Sequence, residues 1–215
     1  GLYTFNPTTG AEILSGVTSG AVFSSLCNGS FIVSAALSTW TDKIAVFFRG
    51  NDTPYDTAMG TIINSDGTIP SDNPFSDSMV FSYGHRNPQG IDWDPITGKL
   101  VASEHGPSGE RGFAHDEINI IESGKNYGWP KVIGGEHDPE FVDPIIHTGD
   151  DTWAPSGSVF YDSDNIPEWE NKYFVAILRG SHLRMLDLDI EKNQVISNEV
   201  LFSNLYGRLR DASMG

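Results

Sequence analysis

The strongest constraint on the fold is a repeat. "NPQGIDWDPITGKLVASEHG" is followed by "DEINII", and later "APSGSVFYDSDNIPEWENKYFVAILRG" is followed by "SHLRMLDL". Each copy opens on Pro-x-Gly, runs through a strand-like stretch and a polar turn, enters a second strand ending in Gly, and then a third. Pro88–Gly90 in the first copy corresponds to Pro155–Gly157 in the second, 67 residues on. A meander of this kind cannot bury its own apolar faces, so copies must stack. A repeated unit of three or four strands, with a period of about 40–50 residues plus insertions, describes the blade of a β-propeller. A β-sandwich, the alternative all-β arrangement, gives no reason to repeat the Pro-x-Gly opening.

The rest of the chain agrees with an all-β reading. Its 23 glycines and 12 prolines break the sequence into short β-branched and aromatic runs, and no long helical periodicity is present. "SFIVSAAL", "KIAVFFRG", "GTIINSDGTI", "KLVASEHG", "DEINIIES", "KYFVAILRG" and "HLRMLDLDI" are the predicted strands. The opening "LYTFNPTTGAEIL" resembles the outer strands of a blade, and the final "GRLRDASMG" falls where a new inner strand would begin. The expectation is therefore four-stranded antiparallel blades: three complete and two partial, about four in all. They would form a single propeller domain over 1–215, truncated at both ends and part of a larger ring.

Composition excludes several functions. A net charge of −16 argues against nucleic acid, since phosphate binding needs a broad basic face. No run approaches the roughly 20 apolar residues of a membrane-spanning helix, and "GLYTFNPTTG" lacks the basic and apolar start of a signal peptide. The single cysteine, Cys27, allows no intrachain disulfide. Sequons occur at Asn28 and Asn51. The six histidines show no HExxH spacing, and neither a GxSxG elbow nor a dinucleotide-binding GxGxxG is present.

What remains is concentrated at blade junctions. "YGHRNPQG" reads as a stiff turn crowded with directional donors. Of seven arginines, Arg86, Arg179, Arg208 and Arg210 fall in segments that a propeller would bring to one mouth of its channel. Guanidinium forks hold carboxylates bidentately, so a small polyanionic ligand would account for them, although any single arginine is as well explained by a neighbouring acid such as Asp211. "SEHGPSGERG", followed by "HDEIN", brings carboxylates and a Gly-Pro pair together, as in the oxygen cage that Ca²⁺ favours. "DLDIEKNQVISNE" lacks the glycine and the register of an EF-hand loop. "NYGWP" reads as a packed aromatic turn.

Taken together and in order, "GTIINSDGTIPSDNPF", "YGHRNPQGIDWDPITGKL", "SEHGPSGERG…HDEINIIESGKNYGWP", "APSGSVFY" and "GRLRD" resemble the glucose/sorbosone dehydrogenase family over roughly residues 58–212. That family comprises the soluble quinoprotein glucose dehydrogenases and the aldose sugar dehydrogenases, which are six-bladed propellers binding pyrroloquinoline quinone (PQQ) and Ca²⁺. The resemblance implies oxidation of a sugar C1 hydroxyl with hydride transfer to the quinone, an electron acceptor as partner, and a secreted or periplasmic address. By the same resemblance, Arg86 and Asn87 would contact the quinone oxygens, with Arg86 as the catalytic group stabilising charge on reduction. Gly106 and Pro107 would offer carbonyls to Ca²⁺, and Arg208 and Arg210 would clamp PQQ carboxylates. Thr152 stands at a cofactor-contacting threonine, Arg179 stands where some members have lysine, and Glu117 and Tyr127 match positions used at a second, structural Ca²⁺.

One departure bears on catalysis. The family usually carries a base, a histidine in an "HNGG"-like segment, whereas "LCNGSFIVS" puts Cys27 at that point. A neutral thiol is a poor substitute for imidazole. Two alternatives follow: a non-catalytic propeller that binds without turnover, and a glycoside hydrolase built on a carboxylate pair such as Asp94 and Glu104.

Overall fold

The computed structural model describes residues 31–38, 41–49, 57–76, 78–109 and 112–214. Cys27, Asn28, Asn51 and the "LYTFNPTTGAEIL" segment lie outside the described residues. In chain order the strands are β1 (Phe31–Leu37), β2 (Lys43–Arg49), β3 (Ala58–Asn64) and β4 (Val80–His85), then β5 (Pro88–Trp93) and β6 (Leu100–Glu104). A small ribbon, β7 (Ser108–Gly109) and β8 (Gly112–Phe113), precedes β9 (Glu117–Ile121) and β10 (Ile146–His147). The last four are β11 (Pro155–Phe160), β12 (Tyr173–Ile177), β13 (His182–Asp189) and β14 (Gln194–Leu201).

Among the described residues these form three antiparallel four-stranded sheets, ordered β1-β2-β3-β4, β5-β6-β9-β10 and β11-β12-β13-β14. The chain is thus an all-β protein with the four-stranded antiparallel blades of a propeller. Strands β1, β5 and β11 each lead a sheet, and β5 lies between the other two. Beside them runs a cavity of about 490 Å³, completed by Arg210–Met214.

Alternation along each strand explains the stacking. In β6, Leu100 and Ala102 pack with Phe47 and Ile62 of the first sheet and with Tyr127 of the loop after β9, while Val101 packs with Phe160, Tyr173 and Ile177 of the third. All five residues of β6 and all five of β12 are buried, which is why "KLVASEHG" and "KYFVAILRG" read so clearly as strands. Each of the seven predicted runs overlaps an observed strand. Strands β4, β7, β8, β10 and β14 fall in none of these runs. "QVISNEVL" (β14) is an outer strand whose residues are mostly exposed, so no apolar periodicity marks it. "YGHRNPQG" lies at a blade junction, as expected, but most of it is strand: Tyr83–His85 end β4, Pro88–Gly90 begin β5, and Arg86 and Asn87 alone connect them. The final "GRLRDASMG" forms no strand over its described residues, although the Arg210 carbonyl accepts the Gly157 N–H at 3.0 Å.

The repeated Pro-x-Gly has a steric cause. A Cβ on Gly90 would run into the carbonyl oxygen of Ser156 on β11, and one on Gly157 would run into the Asp211 carboxylate. Glycine therefore stands where successive leading segments press together. The same crossing is bonded: Gly90 donates to Ser103 Oγ (3.1 Å), which donates to the Ser156 carbonyl (2.8 Å). Phe160 N–H reaches Asp92 Oδ2 at 2.7 Å, a carboxyl whose pKa burial raises. Gly90→Ala is expected to cost about 1–3 kcal/mol by overpacking. A urea midpoint equal to that of the parent protein would remove this explanation of the repeat.

Candidate functional site

The register brings distant segments to one end of the sheets. Pro88 pairs with Glu104 and Pro155 with Ile177. The residues before β5 and β11 therefore meet those after β6 and β12. Gly106, Pro107, Thr152 and Arg179, expected from the sequence to act together, do line one cavity of about 370 Å³, along with Asp116, Asp150 and Asp151. Arg86 reaches its rim: Nη1 donates to the His105 carbonyl (3.2 Å) and Nη2 to Ser108 Oγ (3.4 Å), both residues of the cavity wall. The guanidinium also lies 5.9 Å from the Trp129 ring centroid. The Asn87 carbonyl accepts the His105 N–H at 3.1 Å.

Two buried carboxylates, each 3% exposed, hold these segments. Asp116 accepts Gly106 N–H (2.9 Å) on one oxygen, and Thr152 Oγ1 (2.9 Å), Trp153 N–H and Ala154 N–H (both 2.8 Å) on the other. Glu104 accepts the main-chain N–H groups of Arg86 and of Asn87 (3.1 Å) on Oε1, and its Oε2 lies 3.3 Å from His85 Nδ1. No motif in the sequence marks either role. The available signal was an acid closing or adjoining an otherwise apolar strand, "LVASE" and "DEINII", since a buried polar group is the informative exception.

The backbone here is constrained. A Cβ on Gly106 would collide with the carbonyl oxygens of Ala114 and His115. Ala114 (φ 67°), His115 (φ 54°) and Ala154 (φ 50°) all adopt left-handed conformations costly for non-glycine residues, and the first lines the cavity. The His105 ring has its pKa lowered by burial, and its Nε2 is buried with no hydrogen-bond partner among the described residues.

The other expected residues lie apart from this cavity. Arg210 is exposed and borders the 490 Å³ cavity, tied to the start of β11 through its carbonyl, and Arg208 is exposed in the same segment. Glu117 faces Glu104 across the β6–β9 pair, and its carboxylate accepts Gly134 N–H (3.1 Å) and Asn119 Nδ2 (3.0 Å). Burial and then the Glu104 charge push its pKa up to about 8. The Tyr127 hydroxyl donates to the Ile120 carbonyl (2.6 Å) and accepts Glu122 N–H (2.8 Å), and burial raises its pKa. The side-chain oxygens of Glu117 and Tyr127 therefore stand at opposite ends of β9. Asp94 and Glu104 are no hydrolytic pair: Asp94 caps its own turn through Thr97, at the far end of the β5–β6 hairpin from Glu104.

This arrangement can accept oxyanions on guanidinium groups and a hard cation on carbonyl and carboxylate oxygens. Among the described residues no group of three or more His, Cys, Asp or Glu side chains could hold a metal alone. A cation here would depend on main-chain carbonyls and on oxygens brought by a ligand.

Comparison with known proteins points the same way. The family model described as Glucose / Sorbosone dehydrogenase matches residues 45–215. The chain is 34% identical over 180 residues to aldose sugar dehydrogenase YliI of Escherichia coli K12, covering 74% of this chain and 46% of that protein. It is 46% identical over 97 residues to quinoprotein glucose dehydrogenase B of Acinetobacter calcoaceticus, covering 43% and 19% respectively. The solved PQQ-bound aldose sugar dehydrogenase of Streptomyces coelicolor matches with a TM-score of 0.65 at 30% identity, over 79% of this chain and 48% of that one. The chain spans less than half the length of each of these relatives.

Proposed function

We infer that this chain, which belongs to the glucose/sorbosone dehydrogenase family, carries the cofactor-binding arc of a PQQ- and Ca²⁺-dependent aldose sugar dehydrogenase. The supporting observation is the convergence of Gly106, Pro107, Thr152 and Arg179 on the wall of one polar cavity, with the Arg86 guanidinium at its rim, residues drawn from four segments. The proposed unit is a single propeller domain over 1–215 that supplies about four blades of a six-bladed ring. Its partners are a sugar and an electron acceptor, and its address is secreted or periplasmic. Among the described residues no helix is long and apolar enough to cross a membrane.

The residues fit the cofactor. PQQ is a flat tricarboxylate, and when bound it supplies a two-electron acceptor for hydride. Arg179 offers a fork for its carboxylates and Thr152 a hydroxyl, whereas Arg208 and Arg210, which lie apart from this cavity, have less support as carboxylate clamps. Gly106 and Pro107 offer carbonyls to the cation, beside the carboxylates of Asp150 and Asp151. Arg86 and Asn87 would meet the quinone oxygens, where the guanidinium would offset negative charge. A second cation held by Glu117 and Tyr127 has less support, given where their side-chain oxygens lie.

The deciding experiment titrates the chain with PQQ at saturating Ca²⁺ and follows dye reduction with a panel of aldoses. Binding and turnover are expected. Failure to bind PQQ would end this reading. The expectation that Cys27, which lies outside the residues matched by the family model, replaces the family's histidine motivates a second reading, a propeller that binds the quinone without turnover. Saturable PQQ binding with no dye reduction, and activity gained in Cys27→His, would select it.

A further inference from the structure

We propose that Glu104 is a positioning residue that aims Arg86, through a buried relay running Ser82–His85–Glu104 into the main chain of the Arg86–Asn87 connection. The inference rests on the cofactor reading above.

The geometry is specific. Ser82 and His85 are completely buried, and Ser82 Oγ lies 2.9 Å from His85 Nε2. Glu104 accepts on Oε1, and the hydrogen-bond network assigns His85 the neutral tautomer whose Nδ1–H donates to Oε2 and whose Nε2 takes the serine hydroxyl. The ring cannot swing: it stacks on Tyr127 (centroids 4.3 Å apart, 24° between planes) and meets Phe47 edge-on at 4.8 Å. A serine, a histidine and an acid in this order resemble a nucleophilic triad, but with all three sealed in the core no substrate can reach the hydroxyl. What the relay does reach is Glu104 Oε1, which takes the N–H groups of both connecting residues. Those two amides set the direction in which the Arg86 and Asn87 side chains leave the turn. From there the Arg86 guanidinium bridges the His105 carbonyl and Ser108 at the cavity rim.

Reach and charge can be separated. Glu104→Gln keeps an oxygen where Oε1 stands and removes the charge, and His85 can present its other tautomer to the new amide. Glu104→Asp keeps the charge but withdraws the acceptor by one methylene. If Glu104 positions the turn, Glu104→Asp lowers PQQ affinity at saturating Ca²⁺ by about 10–100-fold, the usual scale for residues supporting a ligand contact. It also lowers kcat while the sugar KM holds, and Glu104→Gln recovers most of both. In an Arg86→Ala background, Glu104→Asp should cost little more, because the contact it serves has gone. The inference is overturned if Glu104→Asp binds PQQ like the parent, if Gln is the worse variant while its circular dichroism stays native, or if the loss is undiminished beside Arg86→Ala. Parent protein that fails to bind PQQ would overturn the cofactor reading. Parent binding with an unaffected Glu104→Asp would overturn this inference alone.

Discussion

Replacing Arg86 by alanine is expected to lower kcat of the quinone- and calcium-loaded protein by about 10²–10³-fold, the scale for removing one preorganised charge-stabilising group. The reasoning starts from how completely the residue is held. Its main-chain N–H is bound to Glu104, its guanidinium to the His105 carbonyl and Ser108, and one face lies near Trp129. A cation fixed beforehand does not reorganise as negative charge develops, and that is where the rate advantage lies. Arg86→Lys keeps the charge but not the planar fork, so it should recover only part of the loss. Steady-state dye reduction with an aldose, beside a PQQ titration, separates lost turnover from lost binding. Arg86→Ala that turns over at the parental rate would remove Arg86 from the chemistry.

The largest effect on stability is expected at Asp116. Its carboxylate satisfies Gly106 N–H, Thr152 Oγ1, Trp153 N–H and Ala154 N–H, uniting the segment after β6 with the one before β11. Alanine would leave four donors without a partner, at about 1–3 kcal/mol for each that stays dry. Water will reach some of them, so the expected loss is roughly 3–5 kcal/mol. Asparagine keeps an oxygen for the three donors around Thr152 but sets its NH2 against the Gly106 N–H, so about 1–3 kcal/mol is expected. Urea unfolding with an unchanged denaturant slope checks both values. Alanine and asparagine variants of equal stability would show that the two oxygens do not carry the separate loads assigned to them.

Much of the architecture was legible because its cause is local or repetitive. β6 and β12 are buried on both faces, so their runs are apolar throughout and stand out from the polar turns beside them. β14 escaped notice for the converse reason, since an outer strand needs no apolar face and carries Gln194, Asn198 and Glu199. The site divides along similar lines. Gly106, Pro107, Thr152 and Arg179 were nominated by motif and do share a cavity. Asp116 and Glu104 were passed over as site-organising residues because an acid at a strand end looks like any solvated carboxylate in a chain of charge −16.

By itself, then, the sequence determined the apolar strands, the repeat and the family, all of which are written in residues near one another or in copies of the same phrase. Only tertiary structure decided which carboxylates are structural. Asp116 meets Thr152 across 36 positions and Glu104 meets Arg86 across 18, and neither distance leaves a periodic trace. Whether a carboxylate is solvated or holds two loops together depends on the donors that folding delivers to it, and those donors are main-chain N–H groups that nearly every residue possesses.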